Sequence, residues 1–81
     1  MTSKEVLEGN RIFNCEVFGN HIRGKRKYNS ISITELAKEL GMSKATISRV
    51  ENGKEPSINT ALTLAHWYGT GLEYFINIEN K

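Results

Sequence analysis

Apolar residues recur at helical spacing along most of this chain from Cys15 onward. Val17, Phe18, Ile22 and the aliphatic stems of Arg26 and Lys27 fall near one face of a first helix. Its interior glycines, Gly19 and Gly24, each cost about 1 kcal/mol relative to Ala, and Tyr28-Asn29-Ser30 reads as its end and a turn. Ser32-Ile33-Thr34-Glu35 is a capping box, in which the serine hydroxyl and the glutamate carboxylate satisfy each other's backbone N–H groups. It opens a second helix with Ile33, Leu36, Ala37 and Leu40 inward, which Gly41 ends in the left-handed conformation open to glycine. Ser43 caps a third helix, about Lys44 to Glu51, with Ile47 and Val50 inward, and Asn52-Gly53-Lys54 stops it. Pro56-Ser57 starts a fourth, where Ile58, Ala61, Leu62, Ala65 and Tyr68 recur before Gly69. Thr70-Gly71-Leu72-Glu73 reads as a second capping box, leading into a fifth short helix with Leu72, Phe75 and Ile76 apolar. Residues 1–14 carry no clear period. Val6 and Leu7 could start a helix and Ile12 and Phe13 belong to a strand, so the stretch is an arm of open structure. The pattern predicts an all-α fold of five short helices, with the arm at 1–14 and a compact domain at 15–81.

The informative stretch is Ile33 to Glu51. Two short helices joined by so tight a turn cross steeply, and their axes come closest where Ala37 sits. Leu36, Leu40, Ile47 and Val50 fill the angle between them. The later helix then stands out as a ridge with Lys44, Ala45, Ser48, Arg49 and Asn52 outward. Such residues suit a major groove about 12 Å wide. Arg49 can donate twice to guanine O6 and N7, Lys44 can reach a guanine or a phosphate, and Ala45 can pack on a thymine methyl. Ser43 and Ser48 are adaptable donors or acceptors. Spacing alone equally describes an ordinary helical hairpin with a solvated face.

Charge distribution bears on that choice. The chain has 81 residues and a formal charge of only +2. Between Asn20 and Lys54, however, eight basic residues face three acidic ones, +5, while the remainder carries −3. A basic middle between acidic ends is the footprint of a polyanion-binding face, or a set of solvated helix faces. There is no Asp, only His21 and His66, and the single cysteine Cys15. Those counts exclude an internal disulfide and a four-ligand structural zinc, and a Ser-His-Asp triad has no Asp. No metal, cofactor or catalytic residue is expected, and no apolar run is long enough to cross a membrane. One cysteine suits a reducing, cytoplasmic setting. Gly19 to Lys25 nearly spells a phosphate-binding loop, but Arg26 stands where magnesium chemistry needs Ser or Thr.

Residues 18–76, from FGNHIRGKRK through ITELAKELGMSKATISRVENGKEPS to TALTLAHWYGTGLEYFI, resemble the Cro/lambda-repressor-type (XRE-like) helix-turn-helix family. The resemblance implies a five-helix DNA-binding domain, usually a dimer, that docks the helix beginning at Lys44 into the major groove. It implies a structural ion pair between Arg26 and Glu51. It also implies phosphate contacts from Ser32 or Thr34 and from Asn52 and Lys54. One departure stands out: many members carry Gln where this chain has Ile33, and Ile33 can make neither that residue's phosphate contact nor its brace to the recognition helix.

On this reading the chain is a sequence-specific regulator of transcription, a dimeric repressor on double-stranded DNA, with Trp67 and Tyr74 as candidates for the dimer patch. A protein partner such as polymerase is compatible with it. The alternative is an antitoxin that caps a toxin and also binds its own operator, using residues 1–17 or the aromatic C-terminal region as partner surface.

Overall fold

A computed structural model describes residues 6–8 and 11–76. Residues 1–5 and 9–10 of the arm and 77–81 of the domain lie outside the described residues. Two short antiparallel strands come first, β1 (Val6–Glu8) and β2 (Arg11–Ile12), with Val6 opposite Ile12 and Glu8 opposite Arg11. Four α-helices follow: α1 (Cys15–Tyr28), α2 (Ile33–Leu40), α3 (Lys44–Glu51) and α4 (Ile58–Tyr68). Leu72–Phe75 is a single 3₁₀ turn.

Local chemistry sets the helix ends. Asn14, Ser32, Ser43 and Ser57 each accept a backbone N–H three residues on, and the Ser32–Glu35 box is complete in both directions. Gly41 takes φ +71° after α2, and the Met42 N–H then donates to the Ala37 carbonyl at 2.9 Å. That left-handed residue turns the chain sharply enough for Ser43 to cap α3 two positions later.

Phe18, Ile22, Leu36, Ile47, Leu64 and Phe75 are wholly buried and draw on every helix and the 3₁₀ turn. Each contributes about 1.5–3 kcal/mol relative to exposure. Ala37 is buried with them. Phe13, assigned by its lack of period to the arm, is also in this core. Its ring sits 5.1 Å from Phe18, and it forms an antiparallel bridge with Ile76.

Several expectations are corrected. The five-helix count becomes four α-helices and one 3₁₀ turn, because the Asn14 N–H donates to the Phe75 carbonyl at 3.0 Å and Ile76 is extended and bridged to Phe13 directly after that one turn. Gly71, with no side-chain cap, precedes that turn, so Thr70-Gly71-Leu72-Glu73 is not a capping box. Val6 and Leu7 lie in a strand, not a helix. Lys27 is exposed, and α1 buries Cys15, Phe18, Gly19, Ile22 and Arg26. In α4 the inward residues are Ala61, Leu64 and Ala65, while Ile58 and Leu62 are 59% and 49% exposed.

Candidate nucleic-acid interface

The α3 helix is held from behind by α1. Gly19 comes so close that a Cβ there would overlap the Val50 carbonyl oxygen and lie 3.2 Å from the Glu51 Cα. One turn on, Arg23 donates through Nη2 to the Glu51 carbonyl at the end of α3, and its Nε is 3.6 Å from Glu51 Oε1. One turn further, Arg26 grips the buried Glu51 carboxylate with both edges of its fork, Nε to Oε2 at 2.7 Å and Nη2 to Oε1 at 2.9 Å. Its Nη1 donates to the Ile31 carbonyl at 3.0 Å, which ties the same side chain to the entry of α2. The hydrogen bond to Glu51 holds the Arg26 guanidinium above its ordinary pKa, against the opposing effect of burial. Among the described residues no buried side-chain nitrogen or oxygen lacks a partner. The pair braces α1 against the end of α3 and the entry of α2.

The outer side of α3 carries the sequence-singled residues. Lys44, Ala45 and Arg49 are exposed, Ser48 is half-buried, and Asn52 and Lys54 are exposed just beyond the helix end. Ser43 Oγ accepts the Thr46 N–H at 3.1 Å and sits 2.9 Å from Thr46 Oγ1, so its hydroxyl is engaged in the cap. Ser32 Oγ is engaged likewise with the Glu35 N–H. Thr34 is exposed in the first turn of α2, where amides have no intrahelical partner.

These residues divide between two surface depressions. A shallow groove between the first turns of α2 and α3 is lined by Arg26, Ser32, Ile33, Thr34, Lys44, Ala45 and Ser48. Two cations and no carboxylate line it. Arg49 opens on a different hollow, shared with Thr46, Val50, Lys54, Glu55, Pro56, Ser57 and Thr60 at the start of α4. Asn52 lines neither. Trp67 and Tyr74 also part company: Tyr74 is 52% exposed, whereas Trp67 is half-buried with Lys25 Nζ 5.3 Å above its ring.

Sequence reasoning missed three structural participants. Gly19 and Arg23 lie two turns and one turn before Arg26 on the same side of α1, a spacing of i, i+4, i+7 that could have flagged them. Lys25, counted with the basic middle, donates to the Trp67 and Tyr68 carbonyls at 3.2 and 3.0 Å and so caps the end of α4. No helix among the described residues is long and apolar enough to cross a membrane, and no metal-binding cluster is found among them.

A helix-turn-helix family model matches residues 22–75. The chain is 34% identical over 55 residues to an uncharacterized HTH-type transcriptional regulator of Methanocaldococcus jannaschii, covering 67% of this chain and 83% of that one. It is 43% identical over 49 residues to a protein of Methanocella arvoryzae named as an HTH-type transcriptional regulatory protein, and 30% identical over 63 residues to one of the same description from Methanoregula boonei. Those matches cover 60% and 78% of this chain but only 15% and 20% of the two relatives.

Proposed function

Because the chain belongs to the helix-turn-helix family, we propose that it is a sequence-specific regulator of transcription, binding double-stranded DNA as a dimeric repressor at an operator with two-fold symmetry. The observation that carries this reading is the outer face of α3. Exposed Lys44, Ala45 and Arg49 stand on a short helix that α1 holds rigidly from behind, and no acidic side chain lines the groove beside Lys44.

Each part of the face has a task. The α3 helix enters the major groove, with Arg49 donating to a guanine and Ala45 against a pyrimidine methyl. Lys44 and Ser48 read neighbouring edges, and Ser43 fixes the first turn of α3 as its cap. Ser32 and Thr34 offer the amide end of α2 to one phosphate, and Asn52 and Lys54 meet another past the end of α3. Tyr74, with the exposed Ile58 and Leu62, supplies apolar surface for pairing of two copies, and half-buried Trp67 is the second candidate for it. The chemistry is binding and occlusion in a cytoplasmic setting, with no reaction to perform.

The test is selection of bound duplexes from a random pool, followed by dissociation constants for variants on the selected duplex at several salt concentrations. Arg49→Ala is expected to cost about 1–3 kcal/mol per half-site and to relax one base pair in each, the two lying about 10 base pairs apart. Lys54→Ala is expected to weaken all duplexes nearly alike and to lower the salt slope by about one per phosphate contact. Equal weakening of every duplex by Arg49→Ala would make Arg49 a phosphate clamp and misplace the reading face.

A further inference from the structure

Ile33 is the first residue of α2 and Ala45 the second of α3, and both line the groove between those helix starts. Ile33 is half-buried: one side packs on the core and the other forms groove wall. The surrounding side chains are Arg26, already paired with Glu51, and Ser32, Thr34, Lys44 and Ser48, hydroxyls and an exposed cation that suit a nucleic-acid backbone and base edges. A hydrocarbon wall in such a place has little to offer a phosphate. The apolar group that the major groove presents is the thymine 5-methyl. We infer that Ile33 and Ala45 together form a methyl-binding cleft that selects thymine at one position of each half-site.

The inference rests on the DNA-binding reading above, in which Ala45 meets a thymine methyl, and adds to it Ile33 as a second wall for that methyl. Ile33 acts here as a specificity determinant through contact with the base, from a helix other than the one that enters the groove. Burying one methyl group against hydrocarbon favours binding by about fourfold. Ile33→Thr keeps the branched shape and replaces a hydrocarbon arm with a hydroxyl. Ile33→Val keeps the hydrocarbon.

The experiment takes the duplex selected from the random pool and replaces each thymine singly by uracil, which removes the 5-methyl and leaves the hydrogen-bonding edges intact. Binding of the parent is expected to weaken about fourfold at one thymine in each half-site, the loss of one buried methyl. Ile33→Val is expected to keep that sensitivity, and Ile33→Thr to shrink it below about twofold. A flat uracil scan with the parent protein overturns the cleft without requiring any variant to fold. So does a sensitivity that persists unchanged in Ile33→Thr, which would assign the methyl to another surface. Either result leaves DNA binding standing. Failure to enrich any duplex instead overturns the DNA-binding reading, and the cleft with it.

Discussion

Two glycines in α1 invite the same substitution with opposite results. At Gly24 a new Cβ would meet nothing within 4 Å, so Gly24→Ala gains helix propensity without steric cost, about 0.5–1 kcal/mol. At Gly19 the same gain is set against overlap with the Val50 carbonyl. That oxygen belongs to the backbone of α3 and cannot rotate away as a side chain would, so α3 must shift as a body. Overpacking of this kind costs typically about 1–3 kcal/mol, and a backbone neighbour places Gly19→Ala toward the upper end. After the propensity gain, a net loss of about 1–2 kcal/mol remains. At about 4–8 °C per kcal/mol for a domain of this size, Tm falls by roughly 4–16 °C for Gly19→Ala and rises by a few degrees for Gly24→Ala. Thermal and urea denaturation of the two single variants and the double measure this directly. The double variant should equal the sum of the singles within about 0.5 kcal/mol. Gly19→Ala should also weaken DNA binding, since the displaced element is α3. If Gly19→Ala proves as stable as Gly24→Ala, the close approach of α1 to α3 is wrong.

Arg26→Ala strands the buried Glu51 carboxylate and should cost near the lower end of about 3–5 kcal/mol in urea denaturation, because Arg23 remains close by, with base preference unchanged. Arg26→Met with Glu51→Leu should recover most of that loss; a double variant no better than the single would mean the charges do more than brace. Lys25→Met removes the donor to the Trp67 and Tyr68 carbonyls and should cost about 1 kcal/mol, while the salt slope of DNA binding stays at the parent's value. A reduced slope would move Lys25 to the DNA. Tyr74→Glu should shift sedimentation equilibrium toward monomer, and parent-like association of that variant would place the pairing surface elsewhere.

The segment from Ser32 to Glu51 was legible because its signals are local. A capping box, a left-handed glycine and a second serine cap act within four residues of themselves, and each appears in the structure where the sequence places it. Legibility failed where a distant segment decides. The α4 helix is apolar on several sides, and its spacing picked Leu62 as inward; Leu64 is instead the leucine in the core shared with Phe18 and Phe75, which lie elsewhere in the chain. The last turn stops at Phe75 because of a bond from Asn14, some sixty residues earlier, which no local pattern records. The strand pair had a readable cue: Gly9-Asn10 separates its two strands in the sequence, and Gly-Asn between short apolar runs signals a hairpin. The outward residues of α3 were readable from its period, but their division between two hollows was not, because Lys54 and the start of α4 close the second one.

The bridge between Phe13 and Ile76 makes the helical body a closed circuit: the backbone leaves it beside the point where it entered. Topologically, the starting point of such a circuit is interchangeable. Joining its two ends and reopening the chain in the bend after Tyr28, outside every helix, would preserve all the helix contacts. Mechanically, tension applied through the flanking segments loads that bridge and the Asn14–Phe75 bond before it reaches any helix. Load on either flank therefore has to part those two links before it reaches the hold of α1 on α3.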